Sequence, residues 1–223
     1  MKKVEQEKRD IEKNLLNAII QAEETERKRF AKDLHDGLGP ILSTVKMSIS
    51  SLSRIEKDDQ TKKILRSSDM VIDEALKSIR EISNNLSPHI LNNFGLNKAV
   101  RNFINKINYS DTIKIKFSSN FEDDRFESNT EVVLYRVLCE LINNTIKHAE
   151  ATTISITLEK IPGKISCRYK DNGKGFDIGV LSPTQHSGMG YSNMVTRINS
   201  LNGSFNLTSE KEKGTSAVIS VPV

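Results

Sequence analysis

The sequence has 223 residues, enough for one large domain or two small ones. Hydrophobic residues make up 36% of it and charged residues 28%, a composition that excludes a membrane-embedded bundle and disfavours wholesale disorder. The 33 basic and 29 acidic residues are interspersed, and without a helix-turn-helix, zinc-finger or RNA-binding signature the net charge of +4 does not predict nucleic-acid binding.

The sequence also indicates where the chain resides. No apolar run reaches the roughly 18 to 20 residues that a membrane-spanning helix requires, and the N-terminal MKKVEQEKRD has no apolar signal core behind its charges. Cys139 and Cys167 fit a reducing compartment as two buried thiols, and their spacing is not that of a zinc site. We therefore expect a cytoplasmic chain that makes no membrane contact itself, or the cytoplasmic portion of a membrane-bound receptor.

The part of the sequence before Pro88 is predicted to consist of long helices, because it holds only two glycines and one proline. Apolar or small residues recur at alternating spacings of three and four over residues 4–55, and again over residues 65–86. The polar residues 56–60 between these segments are predicted to form a turn. Two such helices form a hairpin with uncovered apolar seams, so we expect two chains to pair into a four-helix bundle.

Beyond Pro88 the sequence predicts a mixed α/β layer domain, in which helices and strands alternate. Residues 177–187 contain few apolar side chains and are predicted to form a loop. The predicted helices lie near residues 96–107, 130–149 and 193–201, and the predicted strands near residues 112–118, 152–159, 164–169, 204–208 and 215–221.

A polar stripe runs along the predicted helix at 130–149. Glu140, Asn144 and His148 occur at positions i, i+4 and i+8, with Lys147 beside them. Apolar residues on both sides of this stripe would make it border a crevice. An isolated stripe of this kind is also typical of a solvated helix face, so it gains meaning only with the motifs that follow.

Three glycine-containing motifs come after this stripe. In DNGKG, directly after a predicted strand, Asp171 supplies a carboxylate, and Gly173 and Gly175 allow close backbone approach to a ligand. GMG at 188–190 opens a predicted helix, where backbone amides and the helix dipole favour phosphate. GT at 214–215 begins the last predicted strand. Each motif taken alone is explained equally well by a turn.

Together, the motifs resemble the four nucleotide-binding boxes of the GHKL ATPase family, in the family's order. The four boxes are ELINN at 140–144, DNGKG at 171–175, GMG at 188–190 and GT at 214–215. More narrowly, nearly all of residues 23–223 resembles the NarL-type sensor histidine kinases of two-component systems. This resemblance includes ETERKRFAKDLHDGLGP at 24–40, LSPHILNNFGLNKAV at 86–100, LYRVLCELINNTIKHA at 134–149 and SGMGYSNMVTRI at 187–198.

The resemblance implies a fold class of α plus α/β. An antiparallel helical hairpin over residues 23–88 would form a dimeric four-helix bundle for dimerisation and histidine phosphotransfer. Residues 89–223 would form the ATP-binding catalytic domain, a GHKL (Bergerat) α/β sandwich with a mixed sheet. Residues 1–22 look like the end of a signalling coiled coil, so either a sensor lies on a longer chain or the input comes from a separate protein.

The resemblance also implies a role for each matching residue. His35 becomes the phosphoacceptor, Asp171 binds the adenine amino group of ATP, and Asn144 binds Mg²⁺. Glu140 matches the position where a carboxylate holds a metal-bound water or assists proton movement, and Lys147 would reach phosphate oxygens.

Further positions would shape the nucleotide site. Gly188, Met189 and Gly190 would form the hinge of the ATP lid, and Thr215 belongs to the fourth box. His148 ends its predicted helix, where the imidazole either caps carbonyl groups or approaches the phosphates, and both roles stay open.

The chemistry of His35 agrees with the role of acceptor. Phosphorylating an imidazole requires a neutral ring with a free nitrogen lone pair, and histidine is largely neutral near pH 7 while still nucleophilic. The Asp36 carboxylate could accept a hydrogen bond from the other ring nitrogen if its side chain bends back, because successive helical residues point about 100° apart. His35 also stands at the edge of an apolar seam (Ala31, Leu34, Leu38), which equally fits a partly buried histidine without chemistry.

The sequence departs from the family pattern in two places. Pro40 stands where many NarL-type kinases carry a glutamine that positions water to dephosphorylate the partner, so phosphatase activity is not predicted. Pro40 would also kink the helix one turn past His35. Tyr191 and Asn193 occupy places where the family often has Leu and Gly after the lid hinge, which predicts an altered lid over a working site.

These features predict a dimeric sensor histidine kinase core, in which ATP-Mg²⁺ phosphorylates His35 and the phosphoryl group passes to an aspartate of a response-regulator receiver domain. Regulators of this group usually carry a helix-turn-helix output domain, so the chain itself would not bind nucleic acid. One alternative is a non-catalytic dimeric scaffold or phosphotransfer module with a vestigial ATP site, which would not bind Mg-ATP. Another is a GHKL serine kinase of an anti-sigma system, which would need no acceptor histidine in a hairpin.

Overall fold

The computed structural model describes residues 2–87, 89–109, 113–177 and 189–223. The chain divides into a hairpin unit, Ala18–His89, and a sheet unit, Ile90–Val223, which also takes in Met1–Asn17. None of the helices within the described residues is long and apolar enough to cross a membrane. The predicted loop at 177–187 lies outside the described residues, apart from Asp177.

The hairpin unit consists of long helices joined by a short polar turn, as the sequence predicts. The turn ends where the Asp58 carboxylate accepts a hydrogen bond of 2.7 Å from the backbone N–H of Thr61, which lowers the pKa of Asp58. Farther along, the Ser83 hydroxyl donates a buried hydrogen bond of 3.0 Å to the Ala31 carbonyl. The elements are the second half of α1 (Lys2–Asp33), a π-helical turn (Leu34–Leu38), α2 (Gly39–Ile55) and α3 (Asp59–Leu86).

Pro40 accounts for the π-helical turn. A proline inside a helix has no N–H to donate and crowds the carbonyl four residues back, which here belongs to Asp36. The chain adapts by a longer hydrogen-bond spacing, because the backbone N–H of Gly39 donates to the carbonyl of Leu34, five residues back. The sequence predicts a kink one turn past His35. The structure instead places the irregular turn at His35 itself, with regular helix on both sides.

An apolar stripe remains exposed along the hairpin. Its members recur at spacings of three, four, seven and eleven residues, so they share one face of each helix. Their exposed fractions range from 41% to 75%, and an apolar surface of this extent indicates an interface. This outer stripe consists of Ile41, Val45, Leu52 and Ile55 on α2 and Ile64, Val71 and Ile82 on α3.

The sheet unit is an α/β domain with a mixed five-stranded sheet, as predicted. Its elements are α4 (His89–Asn108), β1 (Lys114–Ser119), α5 (Ser128–His148), β2 (Thr153–Ile161), β3 (Lys164–Asp171), α6 (Met189–Ser200), β4 (Ser204–Glu210) and β5 (Gly214–Pro222). The strand order is β1-β2-β3-β5-β4. Strand β1 runs parallel to β2, and the other neighbouring strands are antiparallel.

Helix α4 begins seven residues before the helix predicted at 96–107. A short helical segment precedes a break in α4, and the predicted helix is the part that follows the break. Gly95 adopts φ 78° and ψ −179° inside α4, a backbone conformation that suits glycine. A side chain at this position would also meet the side chain of Arg125 at 2.9 Å. The predicted helix therefore starts directly after the break, where regular helical geometry resumes.

Alternation along β3 brings a carboxylate into the core. Ile165, Cys167, Tyr169 and Asp171 all point to the buried side of the sheet, and none is more than 2% exposed. Because Asp171 is the last residue of β3, its carboxylate lies at the edge of the core where the strand ends.

Cys139 on α5 is only half-buried, so the expectation of two buried thiols holds for Cys167 alone.

Candidate functional site

A cavity of about 400 Å³ lies beside the end of β3. Its walls come from α5, the end of β3 and the residues after it, the start of α6 and the strands β4 and β5. The fold thus gathers residues of all four predicted boxes around one cavity. The polar residues that line it include Glu140, Asn144, Thr145, His148, Asp171 and Thr215.

Another part of the lining is apolar and aromatic. It offers flat faces against which a planar ring can pack. Tyr191, one of the two departures after the lid hinge, belongs to this lining, and its ring centroid lies 5.9 Å from that of Phe205. Asn193, the other departure, is exposed. The apolar lining includes Leu141, Tyr169, Phe176, Met194 and Leu207.

Asp171 is the most buried charged group in the lining. Its Oδ1 accepts hydrogen bonds of 2.9 Å from the backbone N–H of Gly173 and 3.1 Å from that of Thr215. Its Oδ2 accepts a hydrogen bond of 2.9 Å from the hydroxyl of Thr145. These donors compensate the burial of the carboxylate. Thr215 thus lines the cavity and also holds Asp171 through its backbone.

The two glycines of DNGKG are required by contacts with the protein itself. A β-carbon on Gly173 would lie 2.5 Å from the carbonyl oxygen of Ala149, and one on Gly175 would lie 1.9 Å from that of Glu210. The sequence assigns both glycines to close approach of a ligand. The structure shows close approach to protein backbone at both positions, and Gly175 lines the cavity as well.

Glu140 and Asn144 lie one turn apart on α5, and Gly190 at the start of α6 faces them. A β-carbon on Gly190 would lie 3.0 Å from the Glu140 carboxylate and 4.0 Å from the Asn144 amide nitrogen. Among the described residues, no group of three or more His, Cys, Asp or Glu side chains could hold a metal ion. Mg²⁺ nevertheless fits this pair, because it keeps several waters and is usually bound by one or two protein oxygens plus substrate phosphates.

Basic residues border the cavity at two positions. His148 and Lys174 line it, whereas the exposed Lys147 is not among its lining residues. Lys174 lies 2.7 Å from the Glu150 carboxylate, to which it can donate. Because His148 faces the cavity, its position favours approach to a phosphate over capping of α5. The phosphate contact of Lys147 stays a prediction.

The predicted lid hinge is described only in part. Gly188 lies outside the described residues, whereas Met189 and Gly190 form the first turn of α6. Gly190 lines the cavity, and the free backbone N–H groups of a helix N-terminus suit phosphate. The assignment of these residues to a hinge stays a prediction.

In the hairpin unit, His35 and Asp36 lie in the π-helical turn. The Nδ1 of His35 is 2.8 Å from the Oδ1 of Asp36, so the hydrogen bond expected from the sequence is present. The His35 side chain is 72% exposed, which contradicts the alternative of a partly buried histidine. Because Asp36 engages Nδ1, the lone pair of the neutral ring is on Nε2.

Three lining residues that carry polar side-chain groups were not predicted from the sequence. Tyr169 stands two residues before Asp171 on the same face of β3, so strand alternation could have identified it. Thr145 directly follows Asn144, and its buried position follows only from helical packing. Lys174 stands inside DNGKG, and the motif was interpreted through its aspartate and glycines alone.

Both units match families of known proteins. Residues 26–91 match the histidine kinase family HisKA_3, and residues 129–223 match the family of histidine kinase-, DNA gyrase B-, and HSP90-like ATPases. The first match contains His35, and the second contains every residue that lines the cavity.

Two curated relatives cover most of this chain. The oxygen sensor histidine kinase NreB of Staphylococcus carnosus (strain TM300) is 26% identical over 220 residues, which are 99% of this chain and 63% of that protein. The signal transduction histidine-protein kinase/phosphatase DegS of Brevibacillus brevis is 28% identical over 208 residues, which are 92% of this chain and 53% of that protein. The chain therefore spans less than two thirds of either relative.

A solved structure shares the fold. The histidine kinase domain of the Erythrobacter litoralis EL346 blue-light activated histidine kinase aligns with a TM-score of 0.51 at 15% identity. The alignment covers 82% of this chain and 94% of that domain. This likeness concerns the arrangement of the backbone alone.

Proposed function

Since the chain belongs to the histidine kinases, in the NarL-type group with a GHKL ATPase domain, we propose that it transfers the γ-phosphoryl group of ATP to His35 and then to an aspartate of a response regulator. Membership of the ATPase family implies ATP binding. The observation that carries the proposal is one cavity that presents both a buried acceptor, Asp171, and the neighbouring side chains of Glu140 and Asn144.

In the sheet unit, Asp171 would recognise the base. An ionised carboxylate is acceptor-only and offers about four acceptor positions, three of which are occupied by Gly173, Thr215 and Thr145. The remaining position suits an N–H donor, such as the exocyclic amino group of adenine. The apolar part of the lining would pack against the purine ring and exclude water, which strengthens this hydrogen bond.

The phosphate chain would extend towards Glu140, Asn144 and the start of α6. The N-terminal N–H groups of α6 would bind phosphate oxygens, and His148 and Lys174 border the same cavity. Asn144, with Glu140 nearby, would hold Mg²⁺, which offsets the negative charge of the phosphates when it is bound. These roles rest on the placement of the side chains and on the family resemblance.

In the hairpin unit, His35 would be the nucleophile. Its Nδ1–H donates to Asp36, so the lone pair of Nε2 attacks the γ-phosphorus of ATP. A nitrogen–phosphorus bond forms as the bond between the γ-phosphorus and the bridging oxygen breaks, and ADP leaves with the bonding electrons. The Asp36 carboxylate stabilises the positive charge that develops on the ring, and it can accept the Nδ1 proton.

The phosphoryl group would then pass to an aspartate of a receiver domain. The exposure of His35 supports this step, because a second protein must reach the same nitrogen. A helix-turn-helix domain on that regulator would contact DNA, so nucleic acid would be reached only through the partner. With Pro40 in place of a water-positioning glutamine, the reverse removal of phosphate from the regulator is not part of the proposal.

A second copy of the chain would cover the outer stripe. The stripe runs along both α2 and α3, and two such hairpins can pack their stripes together in a four-helix bundle. We assign residues 23–88 to dimerisation and phosphotransfer, residues 89–223 to catalysis, and residues 1–22 to an input coiled coil. The use of ATP and of a response regulator supports a cytoplasmic location for this part of the protein.

The test is transfer of label from γ-labelled Mg-ATP to the purified chain. The wild type should acquire label that is lost in acid and retained in base, as expected of phosphohistidine. His35→Gln should abolish labelling while ATP binding is retained, and Asn144→Ala should abolish labelling at the metal-binding step. A wild type that binds ATP and acquires no label would contradict autophosphorylation by this chain.

The alternatives predicted from the sequence receive no support. A serine kinase of an anti-sigma system needs no phosphoacceptor hairpin, yet residues 26–91 match a histidine kinase family. A scaffold with a vestigial ATP site is disfavoured because Glu140, Asn144 and Asp171 all line one cavity. Mg-ATP should therefore raise the unfolding temperature of the chain, whereas a scaffold would show no such shift.

A further inference from the structure

Behind the cavity, a chain of hydrogen bonds leads from Tyr169 to Asp171. The hydroxyl oxygens of Tyr169 and Thr145 are 2.5 Å apart, and the Thr145 hydroxyl is 2.9 Å from the Oδ2 of Asp171. The Tyr169 hydroxyl also lies 3.3 Å from the Leu141 carbonyl, a weaker contact. Tyr169, Thr145 and Asp171 are all buried and all line the cavity.

The direction of each hydrogen bond follows from the number of protons. A carboxylate only accepts, so the single hydroxyl proton of Thr145 must point to Asp171. Thr145 then has no proton left for Tyr169, and a contact of 2.5 Å between two oxygens requires one. Tyr169 must therefore donate to Thr145. Burial raises the pKa of Tyr169, with a further contribution from the negative charge of Asp171, so its hydroxyl keeps this proton at neutral pH.

This direction matters for what the cavity can bind. The Thr145 hydroxyl presents its proton to Oδ2, so Oδ2 is held as an acceptor and cannot turn away without leaving the buried Thr145 hydroxyl without an acceptor. The acceptor position that remains on the carboxylate suits the N–H of a 6-amino purine. A 6-oxo purine would place a carbonyl oxygen against the carboxylate, with no proton between them.

We propose that Thr145 and Tyr169 are positioning residues that hold Asp171 as an acceptor towards the 6-amino group of the purine. They would thereby set the preference for adenine over 6-oxo purines. This inference rests on the proposed ATP site. Neither residue needs to touch the nucleotide through its hydroxyl for this role. Thr145 acts on Asp171 directly, and Tyr169 acts through Thr145.

The test compares two substitutions of Thr145 that separate shape from hydrogen bonding. Thr145→Val keeps the branched shape and removes the hydroxyl, whereas Thr145→Ser keeps the hydroxyl and removes a methyl group. Dissociation constants are measured calorimetrically for Mg-ADP and Mg-IDP, because neither diphosphate can phosphorylate the chain. Thermal unfolding without nucleotide checks that each variant is folded.

The wild type should bind ADP in preference to IDP. In Thr145→Val the affinity for ADP and the ratio of ADP to IDP affinity should each fall about tenfold, the loss expected for a hydrogen bond to a charged group, whereas in Thr145→Ser both should stay within about twofold. Tyr169→Phe should change both in the same direction as Thr145→Val by a smaller factor, because Thr145 can still donate to Asp171.

Two results would overturn the proposal in different ways. If Thr145→Val is folded and keeps the wild-type ratio, or if Thr145→Ser loses the ratio equally, the positioning role is wrong although the nucleotide site stands. If the wild type binds neither diphosphate, the proposed function fails, and the positioning role fails with it.

Discussion

The two units treat their candidate functional side chains in opposite ways. The side chain of His35 in the hairpin unit is 72% exposed and makes its hydrogen bond to the adjacent Asp36. Asp171 in the sheet unit is 1% exposed and is held by three donors, the hydroxyl of Thr145 and two backbone N–H groups. The difference fits the two proposed tasks. A phosphoacceptor must be reached by ATP and then by a receiver aspartate, whereas a carboxylate that selects a base gains from the exclusion of water.

The units also differ in how they bury apolar surface. The sheet unit encloses its own core between helices and sheet, with residues such as Val133, Leu138 and Ile156 at most 1% exposed. The hairpin unit leaves the outer stripe exposed. A substitution should therefore act on activity or association in the hairpin unit, and on folding and ligand binding together in the sheet unit.

The largest expected effect is the complete loss of labelling in His35→Gln. Because the side chain is exposed, the substitution should change the free energy of unfolding by less than about 0.5 kcal/mol. Label incorporation and thermal unfolding, with and without ATP, measure the two properties on one sample. Loss of ATP binding in this variant would contradict the proposal that the sheet unit binds ATP and the hairpin unit only supplies the acceptor.

Leu52→Lys should dissociate the dimer, because two-fold symmetry places two copies of the new charge in the proposed interface. The desolvation penalty of several kcal/mol per buried ion should weaken association at least about a hundredfold. Met47→Lys is the matched control, since Met47 is exposed on α2 but lies off the outer stripe. Sedimentation equilibrium distinguishes the two. Equal dissociation by both variants, or by neither, would contradict the assignment of the stripe to the dimer.

Asp171→Ala should lose nucleotide binding and also destabilise the sheet unit. Removal of the carboxylate leaves the Thr145 hydroxyl and the backbone N–H groups of Gly173 and Thr215 without their acceptor, at a cost of about 2–4 kcal/mol. Asp123→Ala, at an exposed residue paired with Lys98 in the same unit, should change stability by less than about 0.5 kcal/mol. Chemical denaturation measures both. Similar stabilities of the two variants would count against the buried network.

How far the sequence predicts these features depends on whether the cause is local. Helical periodicity predicts the end of α2 and most of α3, and alternation predicts β2, β3, β4 and β5, because each depends only on neighbours along the chain. The break at Gly95 is not predicted, because a glycine in the sequence does not specify a positive φ, and Arg125 and Glu131, which leave no room for a side chain there, are distant in sequence. The π-helical turn was predicted only as a kink, because Pro40 specifies a missing donor without specifying how the helix adapts.

The candidate site shows the same limit. Motif resemblance identifies Glu140, Asn144 and Asp171, and the fold brings all three to one cavity. It does not identify the hydrogen bonds of Thr145 and Tyr169, because these join a helix to a strand more than twenty residues away. It also assigns to a ligand the close approach that Gly173 makes to Ala149, since a motif does not indicate which backbone lies nearby.

Gly175→Ala should destabilise the sheet unit more than Gly163→Ala. Both glycines have positive φ, 57° and 73°, so an alanine is strained at either position. Only at Gly175 would the new β-carbon meet backbone, at 1.9 Å from the Glu210 carbonyl oxygen, whereas nothing lies within 4 Å of the corresponding position at Gly163. We expect about 1 kcal/mol for Gly163→Ala from strain alone and about 2 kcal/mol more for Gly175→Ala. If the two variants lower the unfolding temperature equally, the backbone around Gly175 can move to make room for a β-carbon at little cost.

Pro40→Ala should stabilise the chain and slow labelling at the same time. The new N–H at residue 40 can donate to the Asp36 carbonyl, so the π-helical turn should revert to α-helix and stabilise the hairpin unit by about 1 kcal/mol. The reversion changes the backbone under His35 and Asp36, so labelling should slow severalfold although both side chains are intact. Amide hydrogen exchange at residues 39 and 40 reports the new hydrogen-bond spacing.

Gly37→Ala separates stability from geometry in that turn. Nothing lies within 4 Å of a β-carbon at Gly37, so the helix can accept an alanine there with its hydrogen-bond spacing unchanged. The substitution should raise the free energy of unfolding by about 0.4–1 kcal/mol, because alanine lowers the conformational entropy of the unfolded chain. If both variants gain stability and only Pro40→Ala slows labelling, the shape of the turn governs the reactivity of His35. If both slow labelling equally, rigidity of the helix is the cause, because the two substitutions share that change and not the change in backbone spacing.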